Sequence, residues 1–247
     1  MRTALVVHAH PDDEVFATGA ATSILNDQGW YVVLRVATAG VHGAADHLTN
    51  SCALLGIDEW DWLGTEGQWI DDGGRSGPQT LAAEQPTVLA EEVETAIRAI
   101  EPQLLLTVGS DGLTGHPDHI AISQAVQRAL QRVHCRALGA RVRTQDVRAG
   151  EQLLRQLVDD KVGSGRITGC DEDTPLEVMG SASEQRRRQA LDEYYDGLGS
   201  KPLSELVAVH NASSDGLLLR AVFDATGWQQ DRFEELTAWP SDAPSSR

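Results

Sequence analysis

Apolar positions in this chain alternate between two patterns. Short continuous runs of aliphatic and β-branched residues are followed by longer stretches in which apolar residues return every third or fourth position. The first pattern belongs to strands buried on both faces, the second to helices with one face on a core. Residues 3–9 read as a strand and 15–28 as a helix closing near Gly29. Trp30–Ala37 reads as a second strand, Ala44–Leu55 as a helix stopped by Gly56, and Glu59–Leu63 as a short edge strand. Gly64 to Pro86 has little periodicity, the mark of a functional loop or lid. Val88–Ile100 then forms an amphipathic helix broken by Pro102, followed by a strand at Leu104–Val108 and a helix over His116–Gln131. This repeated strand–helix order predicts an α/β fold: a mostly parallel sheet with right-handed crossovers and helices on both faces.

Past residue 132 the spacing predicts a strand at Ala140–Val147 and a helix over Gly150–Asp160, then a polar, Gly-rich stretch from Gly163 to Pro175. A further helix is expected over Ser183–Leu198, with Ser183 as N-cap. Its stripe of Ala190, Leu191, Tyr194 and Tyr195 reads as core, and Arg186, Arg187 and Arg188 as its solvated face. Leu203–Val209 reads as a short helix, Leu217–Phe223 as a late strand and Ser241–Arg247 as a disordered tail. Residues 1–135 form the expected catalytic core, and 136–240 an α/β part completing the same domain.

Composition narrows the function. The 247 residues are 41% hydrophobic and 23% charged, with a formal net charge of −17. Such an acidic chain offers no field for nucleic acid or anionic membranes. Cys52, Cys135 and Cys170 have no CxxC spacing, which fits a reducing compartment. With no leader-like start and no apolar run long enough to span a bilayer, a soluble cytoplasmic protein is expected.

The chemistry concentrates in two stretches, each directly after an expected strand: His10-Pro11-Asp12-Asp13-Glu14 and His116-Pro117-Asp118-His119. Strand-end loops form the ligand crevice of open α/β sheets, so the two resemble halves of one metal site. His10, Asp13 and His119 supply three N/O ligands, and Asp12, turned to another side, is free to act on bound water. His116 and His119 lie close enough for one to bind metal and the other to face a reacting carbonyl. Strand alternation turns His8 either toward the site or into core. Glu14 can hydrogen-bond a ligand from outside, Asp111 precedes the second stretch, and His42 and Asp46 follow the second strand along the same crevice. Trp62 and Trp69 offer aromatic faces for a substrate wall. No phosphate-binding glycine loop is present in strand–helix context; Gly73-Gly74-Arg75-Ser76-Gly77 lacks it.

The stretches Ala9–Glu14 and Thr114–His119 resemble the motifs of the LmbE-like zinc deacetylases, the family of the N-acetylglucosaminyl-phosphatidylinositol de-N-acetylase. The resemblance implies a Rossmann-like domain without a nucleotide and a Zn²⁺ ion held by His10, Asp13 and His119. It implies Asp12 as general base, His116 as the group that polarises the amide or stabilises the oxyanion as imidazolium, and Asp118 as the carboxylate orienting a histidine. Two departures bear on substrate. Thr114 stands where mycothiol-type members carry Tyr, and Gly40–His47 lacks their usual Arg and Glu, leaving Asp46 or His42 to hold a sugar diol. The expected activity is metal-dependent hydrolysis of an N-acyl, chiefly N-acetyl, amide on an amino sugar or related small molecule. The alternatives are hydrolysis of another C–N, ester or phosphoester bond at the same metal, and a binding protein with a structural metal.

Overall fold

The first strand, β1 (Thr3–His8), is buried from Ala4 onward because parallel neighbours flank it on both sides. The computed structural model describes residues 1–159 and 161–237. After β1 come α1 (Asp13–Phe16), α2 (Gly19–Asp27), β2 (Tyr31–Val36), α3 (Ala45–Leu55) and β3 (Glu59–Trp62). A 3-10 turn at Leu81–Ala83 leads into α4 (Pro86–Ile100), β4 (Leu104–Val108), α5 (Gly112–Gly115) and α6 (Pro117–Ala129). The rest comprises β5 (Ala137–Arg141), α7 (Thr144–Arg155), β6 (Glu177–Gly180), α8 (Glu184–Tyr194), α9 (Leu203–Leu206), α10 (Asp215–Thr226) and β7 (Gln230–Leu236).

Among the described residues these strands form one sheet in the order β3-β2-β1-β4-β5-β7-β6. The first five pair in parallel, β7 runs antiparallel to β5, and β6 runs antiparallel to β7. The predicted mostly parallel α/β sheet is therefore present, with helices on both faces. Alternation along β1 sends Ala4 and Val6 to one core and Leu5 and Val7 to the other. On the second face, Leu89, Val93 and Ile97 of α4 pack with Ile122 and Val126 of α6. The chain builds outward from β1 to β3, then returns to start β4 on β1's other side. The carboxyl ends of β1 and β4 thus form the switch point at which such sheets leave a crevice. Both His-Pro-Asp stretches emerge there.

Several expectations need correction. The first helix is broken between Phe16 and Gly19, because the Val15 and Phe16 carbonyls accept from Arg187 Nε and Nη2 at 3.0 and 2.9 Å. Arg187 is therefore not on a solvated face: it is fully buried, paired with Asp231 at 2.9 Å and stacked 4.1 Å from the Phe223 ring. Arg188 lies over the Trp228 ring at 4.0 Å, and Arg186 pairs with Asp27. The strand placed at 140–147 begins three residues earlier, at Ala137, and α7 starts at Thr144 rather than Gly150. Gly150 lies inside that helix, where a Cβ would stand 2.8 Å from the Val222 backbone nitrogen, so it permits the close α7–α10 approach.

Leu217–Phe223 belongs to a helix. Every residue from Leu217 to Phe223 is buried, so the apolar run shows no helical period, and Ser214 caps it by accepting from Leu217 N–H at 3.3 Å. The two strands β6 and β7 had no counterpart in the sequence pattern. The expected tail at Ser241–Arg247 and the last residue of the helix expected to end at Asp160 lie outside the described residues.

Removing Arg187 strands the buried Asp231 carboxylate and four carbonyl oxygens, those of Val15, Phe16, Trp228 and Gln230. Arg187→Ala should cost about 3–5 kcal/mol in urea unfolding, whereas Arg186→Ala, at a partly exposed pair, should cost no more than ~1 kcal/mol. Equal, small losses in both proteins would contradict the bracing role.

Candidate active site

The turn after β1 is held in an unusual shape by its own carboxylates. Asp12 has φ 94°, a conformation disfavoured for a residue with a Cβ. Glu14 Oε2 accepts from Asp12 N–H at 2.9 Å, and Asp13 Oδ2 accepts from His10 N–H at 3.0 Å. The Asp12 carbonyl then accepts from Val15 and Phe16 N–H, which starts α1. These bonds fix a backbone that would otherwise cost on the order of 1–3 kcal/mol. As a result Asp12 turns to Tyr195 while His10 and Asp13 turn to His119.

The second stretch is set by capping. His116 is the N-cap of α6, its Nδ1 accepting from Asp118 N–H at 3.2 Å, and Pro117 occupies the first helical position. Gly112, at φ 70°, is packed so tightly that a Cβ would lie 3.0 Å from Ile120 N and 3.1 Å from His119 Cβ. That close approach brings the Gly112 carbonyl 3.0 Å from His119 Nδ1, with Thr114 Oγ1 at 3.2 Å. An imidazole whose Nδ1–H is donated to a carbonyl keeps its lone pair on Nε2.

His119 Nε2 lies 3.1 Å from His10 Nδ1 and 3.1 Å from Asp13 Oδ1, and His10 Nδ1 lies 3.9 Å from Asp13 Oδ2. Ligands bound tetrahedrally at zinc distances stand about 3.3 Å apart, so these three groups fit one face of such a site. On its far side His10 Nε2 is 3.3 Å from Asp118 Oδ2 and 3.9 Å from Asp71 Oδ2. A carboxylate there keeps the proton on Nε2 and frees Nδ1 for a cation. Asp118 Oδ1 also accepts from Ala82 N–H at 2.8 Å, tying the 64–86 loop to the site. Burial opposes a charged His119, but the Asp13 carboxylate more than offsets it and raises the imidazole pKa to about 9. Burial likewise opposes ionised Asp13, yet His119 and His10 hold it well below the ordinary carboxylate range. The site is built around positive charge.

His116 also approaches His10 and His119, with ring centroids 4.9 Å from each, so three imidazoles form an alternative ligand group. Asp13 is the third group favoured by charge: its carboxylate lies 3.1 Å from His119 Nε2, whereas His116 would add a further neutral ring. Burial and the two neighbouring histidines lower His116 to about 4. With Nδ1 accepting from the backbone, His116 is neutral and carries its proton on Nε2, rather than being an imidazolium. Burial and the adjacent Asp13 carboxylate push Asp12 well above its ordinary range.

Tyr195, expected in the core, donates its hydroxyl to Asp12 Oδ2, and Tyr194 donates to Glu14 Oε1 at 2.7 Å. The signal for one of them was present: consecutive helical residues cannot both face one core. Glu14 takes a third hydrogen bond from Ser51 at 2.5 Å, and burial raises its pKa to about 7. It therefore supports Asp12 through the backbone, and among the described residues it is hydrogen-bonded to no imidazole.

A cavity of about 260 Å³ opens over these groups, bounded also by His42, His47, Asp71, Arg166 and Asp215. Expectations for five residues are settled here. Trp69 is 1% exposed, packed with Leu63 and Leu81, and donates to Glu84 at 3.2 Å; it is core, not a substrate wall. Trp62 packs edge-on against Trp60. Asp46 stays exposed in the first turn of α3, and His47 takes the place on the wall. Asp111 caps Leu113 N–H and pairs with Arg141 at 3.1 Å, turned from the histidines. His8 is fully buried, bonded to Thr18 at 3.0 Å, and burial lowers its pKa to about 4.

The family model described as PIG-L: GlcNAc-PI de-N-acetylase matches residues 5–130. The chain belongs to the PIG-L family. A 1D-myo-inositol 2-acetamido-2-deoxy-alpha-D-glucopyranoside deacetylase from Thermobispora bispora is 33% identical over 156 residues, covering 53% of this chain and 52% of that protein. The chain thus spans about half the length of the curated relatives it matches. Among solved structures, the A40926 pseudoaglycone deacetylase Dbv21 superposes with a TM-score of 0.62 at 15% identity, over 96% of this chain and 98% of that one. The N,N'-diacetylchitobiose deacetylase of Pyrococcus horikoshii gives 0.58 at 11%, over 95% and 83%. At these identities the two structures share the fold. Among the described residues, no helix is long and apolar enough to cross a membrane.

The two possible third ligands separate in a metal-content assay. His10→Ala, His119→Ala and Asp13→Asn should each lose most of the bound divalent ion, while His116→Ala keeps it. Retention in Asp13→Asn with loss in His116→Ala would make the three imidazoles the ligand set.

Proposed function

We propose that this PIG-L family chain is a divalent-metal-dependent hydrolase of an N-acyl amide, chiefly an N-acetyl group on an amino sugar or related small molecule. The observation that carries the proposal is the convergence of His10 Nδ1, His119 Nε2 and Asp13 on one point, with Asp12 and His116 beside it on the same cavity. The named substrates of the Thermobispora and Pyrococcus relatives, both acetylated amino sugars, support the substrate class. A divalent ion at this point, zinc being the usual partner of two imidazoles and a carboxylate, supplies Lewis acidity and lowers the pKa of water.

The remaining chemistry falls to the chain. Asp12 accepts the proton of the attacking water: Tyr195 holds Oδ2, and Oδ1 remains as acceptor. Its raised proton affinity suits a base that holds the proton through the tetrahedral stage and hands it to the amine nitrogen as the C–N bond breaks. His116 donates Nε2–H to the carbonyl oxygen as negative charge develops there. A neutral donor serves this role because its proton is not released into a site already rich in carboxylates. Glu14 and Tyr194 keep the Asp12 backbone in its disfavoured conformation, so the base does not have to be organised during the reaction.

A panel of N-acetylated amino sugars should include at least one that releases acetate, with activity lost to a chelator and restored by added zinc. Asp12→Asn should keep its metal and lose turnover by about 10² or more, and His116→Ala should lose a similar factor mainly in kcat. Turnover of a phosphoester or ester with no amide hydrolysed would replace the proposal with a different hydrolase at the same site. Full activity in Asp12→Asn would remove Asp12 as base.

A further inference from the structure

Part of the cavity wall takes no role in this chemistry. Arg166 comes from the segment between α7 and β6, and Asp215 from the first turn of α10; both line the cavity. Asp215 Oδ2 accepts from Arg166 Nη2 at 2.9 Å, and its Oδ1 accepts from the Ser164 hydroxyl. Ser164 Oγ in turn accepts from Arg166 N–H at 3.2 Å, which closes a ring of three residues and fixes the plane of the guanidinium. The second terminal nitrogen, Nη1, makes no hydrogen bond among the described residues. It points at Gly74: a Cβ there would stand 2.8 Å from Arg166 Nη1 and 3.0 Å from His116 Nε2. The guanidinium and the imidazole N–H assigned to the carbonyl are therefore both neighbours of Gly74, a glycine at φ 79°, and both residues line the cavity.

The chemistry of this corner is specific. A guanidinium paired with a carboxylate presents a donor beside an acceptor with no net charge. A vicinal diol is complementary, one oxygen accepting from Nη1 while the neighbouring O–H donates to Asp215. Among the described lining residues Arg166 is the one Lys or Arg, against Asp12, Asp13, Asp71 and Asp215. An anionic group would meet these carboxylates, and an apolar one would leave the pair without partners.

We propose that Arg166 and Asp215 form a polyol-reading pair that selects a neutral, hydroxylated ring next to the scissile amide over an apolar or anionic one. The proposal deepens the hydrolase assignment and rests on it only for where the amide lies. Its test is therefore a binding measurement. Calorimetry on metal-loaded Asp12→Asn protein compares N-acetylglucosamine, N-cyclohexylacetamide and N-acetylmuramic acid, so that turnover plays no part.

N-acetylglucosamine should bind most tightly. Adding Arg166→Gln or Asp215→Asn should weaken it by about 10-fold to 100-fold, the usual worth of a charge-assisted hydrogen bond, and leave the cyclohexyl amide within about twofold. Arg166→Lys, which keeps charge but not the planar fork, should recover only part, with unchanged thermal unfolding. Equal weakening of both amides, no weakening, tighter binding of the muramic acid, or no binding of any probe would overturn the proposal. Arg166-dependent binding without acetate release by the unsubstituted enzyme would sink the hydrolase assignment and leave this pair standing.

Discussion

His10 Nδ1 and His119 Nε2 stand 3.1 Å apart although 109 residues separate them in the chain. Two imidazole lone pairs at that distance repel unless something positive lies between them. The Asp13 carboxylate, 3.1 Å from His119 Nε2, favours positive charge at this point and pushes His119 up to about 9 against burial. A divalent cation would satisfy the same arrangement with three ligands. The remaining contacts keep both lone pairs aimed inward: Asp118 behind His10, and the Gly112 carbonyl behind His119. The sheet contributes by placing β1 beside β4, so that their carboxyl ends deliver the two rings to one point.

The second half of the chain reinforces the turn after β1 from the other side. Arg187 ties the end of α1 to β7 through Asp231, whose other oxygen accepts from Ala21 N–H in the first turns of α2. Tyr194, the last residue of α8, and Tyr195, its C-cap, reach Glu14 and Asp12. Arg166 and Asp215 close the cavity beyond them. The converging imidazoles and carboxylate thus come from residues before 120, while the two tyrosines and the Arg166–Asp215 pair come from residues after 160. The family match, which ends at residue 130, covers the first set and not the second.

That division also governs what was legible in the sequence. The metal-facing residues are close in sequence within each motif and sit at strand ends, so spacing alone brought His10, Asp13 and His119 together. The parallel strands were legible for a related reason: burial on both faces leaves continuous apolar runs. Past residue 132 these signals fail. The helix at Asp215–Thr226 is buried over most of its surface and shows no period, and β7 mixes Asp231, Arg232, Glu234 and Glu235 with Phe233. Arg187 and Tyr195 gain their roles through partners far along the chain, Phe16 and Asp231 for the first and Asp12 for the second, which no local pattern encodes. Trp69 was misplaced because an aromatic residue in a glycine-rich loop resembles a substrate wall, whereas here it anchors that loop in the core.

Asp118 behind His10 and the Gly112 carbonyl behind His119 set which nitrogen of each ring would face a metal ion. Long-range proton–nitrogen correlation NMR on ¹⁵N-histidine protein loaded with zinc or cadmium reads this directly. The result expected is metal on Nδ1 of His10 with the proton on Nε2, and metal on Nε2 of His119 with the proton on Nδ1, while His116 remains a neutral Nε2–H tautomer without metal. Coordination of His10 through Nε2, or metal on His116 in place of either ring, would contradict it.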